Sequence, residues 1–244
     1  MFALIKKEIN SFLNSLIGYI VIVVFLLTIS LFLWIFTDSD MNILQNGYAN
    51  LDPLFMITPW VYLFLIPAVT MRLLAEEKKS GTLELLVTKP LTELQIILAK
   101  YSAGVVIVLF SLLPTLIYYV TVYQLGLTPG NLDSGAIWGS YIGLLLLGAG
   151  FVSIGVFASS LSDNQVVAFI VALFMCLFTY IGFEKISSLA LMGSMSNLIN
   201  NIGINAHYVS MSRGVIDTRD VVYFLSLISF FIILTRTVIE SRKW

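Results

Sequence analysis

Six long apolar runs decide what this chain can become: Leu16 to Phe36, Pro53 to Leu74, Leu98 to Tyr123, Ala136 to Phe157, Val166 to Phe183 and Val221 to Ile239. A helix of about 20 mostly apolar residues, rising about 1.5 Å per residue, crosses the roughly 30 Å hydrocarbon core of a bilayer, and each run has about that length. The first five carry no charge except Arg72 and Lys100, near the ends of the second and third. The sixth is the weakest, because Arg236 falls inside it and has to snorkel to the interface. The predicted fold class is an all-α polytopic membrane protein with about six transmembrane helices. Composition agrees, since 59% of the residues are hydrophobic and 11% charged, against roughly 45–50% and 25% in soluble domains.

Charge placement orients the runs. With the N-terminus inside, ten of the 13 Lys and Arg residues fall on inward segments and only Lys185, Arg213 and Arg219 fall outside, the positive-inside bias. The first outward loop holds Asp38, Asp40 and Asp52 and the second Asp133, with no basic residue in either. Both termini are then cytoplasmic. Ahead of the first run, Phe2, Ile5, Ile9, Phe12 and Leu13 recur at helical spacing while Lys6, Lys7, Asn10 and Asn14 fall mainly elsewhere, which predicts an interfacial helix in the headgroups. This start resembles a signal peptide, but no small-residue cleavage site follows the first run, which therefore reads as a retained anchor.

The one sizeable inward connection, Arg72 to Lys100, gathers nine charged residues. Thr82 can cap a short helix through Leu83, Glu84, Leu85, Leu86 and Val87, with Gly81 allowing the turn and Pro90 stopping it soon after Lys89. Leu83, Leu86 and Val87 can share a face, flanked by Glu76, Glu77, Lys78, Lys79 and Glu84, and an apolar ridge with charged flanks suits a groove on a soluble protein. Spacing alone equally allows a solvated connection that satisfies topology and nothing more.

The string Glu76-Glu77-Lys78-Lys79-Ser80-Gly81-Thr82-Leu83-Glu84-Leu85-Leu86, followed by Pro90 and Lys100, resembles the signature of ABC-2 type permeases. Ser159-Ser160-Leu161-Ser162-Asp163-Asn164-Gln165 and Arg213-Gly214-Val215-Ile216-Asp217 resemble the same family, so the likeness covers nearly the whole chain, as a single membrane domain over residues 1–244. The opening of the last run at Asp220-Val221-Val222-Tyr223-Phe224 and the ending Arg242-Lys243-Trp244 look most like its gliding-motility type. The resemblance implies that the first string forms a coupling helix seated in a cleft of an ABC ATPase dimer, with Glu76, Glu77, Gly81, Thr82, Leu83, Glu84, Leu85 and Leu86 at the contact. It also implies a second permease copy or a related larger permease-type subunit, and the bacterial inner membrane as location.

Chemistry on the chain itself is not expected. ATP hydrolysis needs a phosphate-cradling loop such as G-x-x-x-x-G-K-[ST], and no Gly-Lys pair occurs, so ATP and magnesium belong on a partner chain. The single Cys176 and single His207 build no metal or haem site. A net charge of -1 without a basic cluster argues against nucleic acid. The spans contain no deep Asp or Glu for an intramembrane protease, and Ser111 and Ser153 read as helix-packing residues.

Glu184 to Asp220 is too polar to span twice and too apolar for a plain loop, which predicts short re-entrant or interfacial helices on the outer side. They either close the outer end of a path, with His207, Arg213 and Gly214 as gate candidates, or pack beneath the headgroups. Glycines at 139, 143, 148, 150 and 155 crowd the fourth run, fitting close packing within the subunit or at a dimer seam. Pro67 and Pro114 are expected to bend the second and third runs, as hinges or static kinks. Two functions follow: a permease subunit driven by a separate ATPase, or a non-transporting mechanical subunit that passes ATPase motion to cell-envelope machinery. The lack of membrane-buried charge favours large or lipid-like cargo, or the mechanical role, over a small-ion pump.

Overall fold

The computed structural model describes residues 1–36, 41–45, 47–82, 84, 90–128, 130–189 and 195–241. Among these residues all regular structure is helical, and six helices are long and apolar enough to cross a membrane. Helix α1 (Phe2–Leu13) precedes the first span, α2 (Leu16–Ser30), which a π-turn prolongs to Ile35. The second span is α3 (Asp52–Thr70) continued by α4 (Arg72–Lys79). The third joins α5 (Glu93–Leu112) to α6 (Leu116–Leu125), and the fourth is α7 (Ser134–Leu161). The fifth runs from α8 (Gln165–Leu177) through a π-turn into α9 (Phe183–Ser187). Short helices α10 (Ser196–Asn200) and α11 (Ile204–Met211) lead to the sixth span, α12 (Thr218–Glu240).

Helix hydrogen bonding does not stop where hydropathy does, and two spans outrun their apolar runs. The second extends through the charged residues of α4. The third starts at Glu93 rather than Leu98, because Thr92 and Gln95 form a capping box there. Most of the expected Arg72 to Lys100 loop is therefore helix. The prolines differ from one another too. Helix α3 runs unbroken over Pro59 and Pro67 and interrupts only at Met71, whereas Pro114 lies in a 3-10 turn, Leu113–Thr115, between α5 and α6. The Tyr141 hydroxyl donates to the Thr115 carbonyl at that turn, 3.1 Å away.

Helix α7 is the centre of the bundle. It packs against the second, third, fifth and sixth spans, and 78% of its most apolar stretch is buried. Its glycines make that possible. A Cβ on Gly148 would stand 2.7 Å from Val108 Cγ1, and one on Gly155 2.7 Å from Thr70 Cβ, both closer than van der Waals contact allows. These neighbours belong to the same chain, so the glycines are used in packing within the subunit.

The outer spans bury little. Only 22% of the corresponding stretch of the first span is covered, and Leu27, Ile117, Phe174 and Phe230 point outward. In lipid such apolar surface carries no hydrophobic penalty.

Helix α1 lies against α5 with Leu4 and Phe12 buried, Leu4 beside Ile96 and Ala99. Phe2, expected on its apolar face, is 88% exposed instead. Helical periodicity admits either stripe, and Ile96 and Ala99 on α5 select Leu4.

Candidate functional site

The predicted coupling string is anchored where the second span breaks. The first amides of a helix have no partner inside it. At the start of α4 one side chain from α7 supplies what is missing: Ser159 Oγ accepts from the amides of Leu74 and Ala75, each at 3.0 Å, and donates to the Met71 carbonyl at 2.9 Å. Ser159 is fully buried, as are Leu74 and Ala75. One turn on, the Lys78 ammonium donates to the Ser160 carbonyl. Two of the three family-like strings, far apart in sequence, therefore meet here.

A charge cluster fastens the other side of α4. Lys100 on α5 has no exposed surface, and its ammonium lies 2.7 Å from Glu77 Oε2, 3.3 Å from Glu8 Oε1 and 2.5 Å from the Leu73 carbonyl. A buried charge is tolerated when paired and hydrogen-bonded in this way. Lys7 also approaches Glu77 and Glu8, at 3.6 and 3.7 Å, but it is 62% exposed and these contacts contribute little. The Arg72 guanidinium stacks over the Phe12 ring at 4.8 Å and donates to Ser15 Oγ at 3.3 Å, a cation–π contact between α4 and α1. The expectation that no charge is buried in the spans is thus corrected at Lys100.

Above these anchors lies an exposed polar turn. Glu76, Lys79, Ser80, Gly81, Thr82 and Glu84 are all exposed. Gly81 has φ +69°, a conformation that glycine adopts without a Cβ penalty. The Ser80 hydroxyl lies 2.9 Å from the Glu76 carbonyl and 2.8 Å from the Thr82 hydroxyl, folding the turn back on α4. A cavity of about 260 Å³ opens beneath it, lined by Glu76, Ser80 and Thr82 above and Glu8, Glu77 and Lys100 below. Of the predicted contact residues, Glu76, Gly81, Thr82 and Glu84 share this surface. Glu77 does not, because it turns inward to Lys100. Leu83, Leu85 and Leu86, with the rest of 85–89, lie outside the described residues, as do Arg242, Lys243 and Trp244 at the C-terminus.

The opposite end holds the gate candidates. His207 sits on α11, and its partner is Asp220 in the first turn of α12. Nδ1 lies 2.7 Å from Asp220 Oδ1, Nε2 lies 2.9 Å from the Asn201 carbonyl, and the ring stacks on Tyr223 at 3.9 Å. Glu184 accepts from Asn205 Nδ2 at 2.7 Å. Beside His207, the Tyr208 hydroxyl donates to the Phe55 carbonyl at 2.6 Å, and burial raises its pKa well above the usual value, which keeps it a donor. Arg213 is exposed at the edge of a cavity of about 580 Å³ that Asp52, Asp133 and Phe55 also line. Gly214 has φ +82°, and a Cβ there would fall within 2.6 Å of Ala136 Cβ, so this glycine lets the chain pass the start of α7.

Residues 2–243 match the profile described as ABC-2 family transporter protein. The chain belongs to that family. A search of curated proteins finds no match. In this ABC-2 family protein, three residues fasten the family-like string; Lys100 and Ser159 lie in stretches that the sequence singled out, without their partners, and Glu8 was not named at all. Lys100 carried a signal, an ionisable residue inside an apolar run. Ser159 carried only its place in a family-like string, and Glu8 carried no signal, since a glutamate on an interfacial helix is ordinary.

Proposed function

We propose that this ABC-2 family protein is the membrane-spanning permease subunit of a transporter, coupling ATP hydrolysis on a separate ATPase dimer to export of a substrate. One observation carries the reading. The exposed turn from Lys79 to Thr82 stands on a helix that continues the second span and is tied at its root to the third span by Lys100 and to the fourth by Ser159. A push on that turn is therefore delivered to three spans at once. The charge bias supports a cytoplasmic turn and cytoplasmic termini, on the side where a soluble ATPase resides. ATP and magnesium would sit on that ATPase, and this chain would do no covalent chemistry. Pairing with a second copy, or with a related larger permease-type subunit, would complete the membrane unit. The layout of the last span and chain end is most like the gliding-motility permease GldF, which supports service in gliding motility at the bacterial inner membrane.

Glu84→Arg reverses a charge just past the exposed turn, and Gly81→Pro denies that turn a left-handed φ. Each is expected to abolish co-purification with the ATPase or to uncouple its hydrolysis, while the permease still inserts. Normal, coupled complexes from both variants would overturn the assignment.

A further inference from the structure

We infer that Lys100 is a positioning residue for the docking turn, a buried clasp that makes the interfacial helix α1, the helix α4 and the third span move as one piece. The inference rests on the ATPase-coupled reading above. Three oxygens from two helices converge on the Lys100 ammonium: Glu8 on α1, and Glu77 with the Leu73 carbonyl, one turn apart on α4. Glu8 and Lys100 are 92 residues apart in sequence.

The cost of opening the clasp explains why it transmits rather than yields. Parting either carboxylate from Lys100 leaves a charge at low exposure, 12% for both Glu8 and Glu77, and an uncompensated buried charge is strongly unfavourable. Lys7 does not substitute, because it is mostly exposed and more than 3.5 Å from either carboxylate. The turn that would meet the ATPase is separated from Lys100 only by the cavity whose rim is Glu76, Ser80 and Thr82. Displacement of that rim pulls Glu77, Glu77 holds Lys100, and Lys100 carries Glu8 and α1 with it. Interfacial α1 is then a working part of the coupling apparatus and not a passive anchor.

A structural role and a transmitting role predict different behaviour when all charge is removed. Replacing a whole buried ion group by neutral side chains is often harmless to stability, whereas deleting one partner is not. The variant Lys100→Met with Glu8→Gln and Glu77→Gln is therefore expected to insert and to unfold at the wild-type temperature. In nanodiscs with the ABC ATPase that co-purifies with the wild type, the triple variant is expected to bind the ATPase yet lose about tenfold or more of permease-dependent hydrolysis. Lys100→Arg keeps a cation and is expected to retain most of it. A second reading needs no ATPase: in the isolated permease, bismaleimide cross-linking of Ser11→Cys to Ser80→Cys across the cavity should be efficient and should fall in the triple variant. The native Cys176 is buried and leaves this readout clean.

Wild-type hydrolysis and wild-type cross-linking in the triple variant would overturn the clasp while leaving the permease reading intact. Failure of the wild-type chain to bind or stimulate any ABC ATPase would overturn the permease reading itself. If Lys100→Arg proves as uncoupled as the triple variant, the cation is not what transmits, and the inference falls.

Discussion

A single hydroxyl holds the joint between α3 and α4. Ser159 accepts from two amides and donates to one carbonyl at the break at Met71, and leaving a buried backbone group unsatisfied costs about 1–3 kcal/mol. Ser159→Ala should lower the thermal unfolding temperature of the detergent-solubilised protein by several degrees, and an unchanged melting curve would show that the joint satisfies itself. Close packing sets a second limit. Gly155→Ala drives a methyl into Thr70, and overpacking of this kind costs about 1–3 kcal/mol, so its yield of folded protein should fall where Gly81→Ala, with open space around it, affects chiefly the turn. Single-residue roles were the least legible in the sequence. Lys100 was visible as a charge near the end of an apolar run, but its partners lie on helices whose placement no periodicity specifies. Glu77 belonged to a family-like string and still turned inward, because the nearest cation is behind it.

At the scale of elements, legibility was higher wherever one physical signal ruled. Hydropathy located all six spans, yet their ends followed hydrogen bonding: the Thr92 and Gln95 box starts α5 early and α4 prolongs the second span. Helix α1 was foreseeable as a helix but not in its rotation, since α5 decides whether Leu4 or Phe2 is covered. The short helices before the last span were predicted as a class, while the tie between α11 and α12 was not, because Asp220 reads equally well as an ordinary first-turn acid. That tie can be tested. His207→Ala removes both ring contacts, to Asp220 and to the Asn201 carbonyl, and should speed amide exchange over residues 201–211 about tenfold. Exchange in α4 should be unaffected. Equal acceleration at both ends would mean that His207 supports the whole bundle rather than its own corner.

For the whole molecule, α7 is the most buried span, while the first, fifth and sixth spans expose most of their apolar surface. The proposed orientation makes a direct prediction. Asn131→Cys, in the connection before α7, should react with a membrane-impermeant maleimide in intact cells, and Ser80→Cys should react only after the membrane is opened. The reverse pattern would invert the topology and place the docking turn where no ATPase resides. The clasp at Lys100 also imposes a timetable on synthesis. Glu8 leaves the ribosome long before its counter-ion does, and Glu77 waits as well, so for the first two spans both carboxylates stay in water or in the headgroups. Arrival of the third span seals them, and a nascent chain stalled between residues 77 and 100 would present an undocked α1 to the quality-control machinery of the membrane.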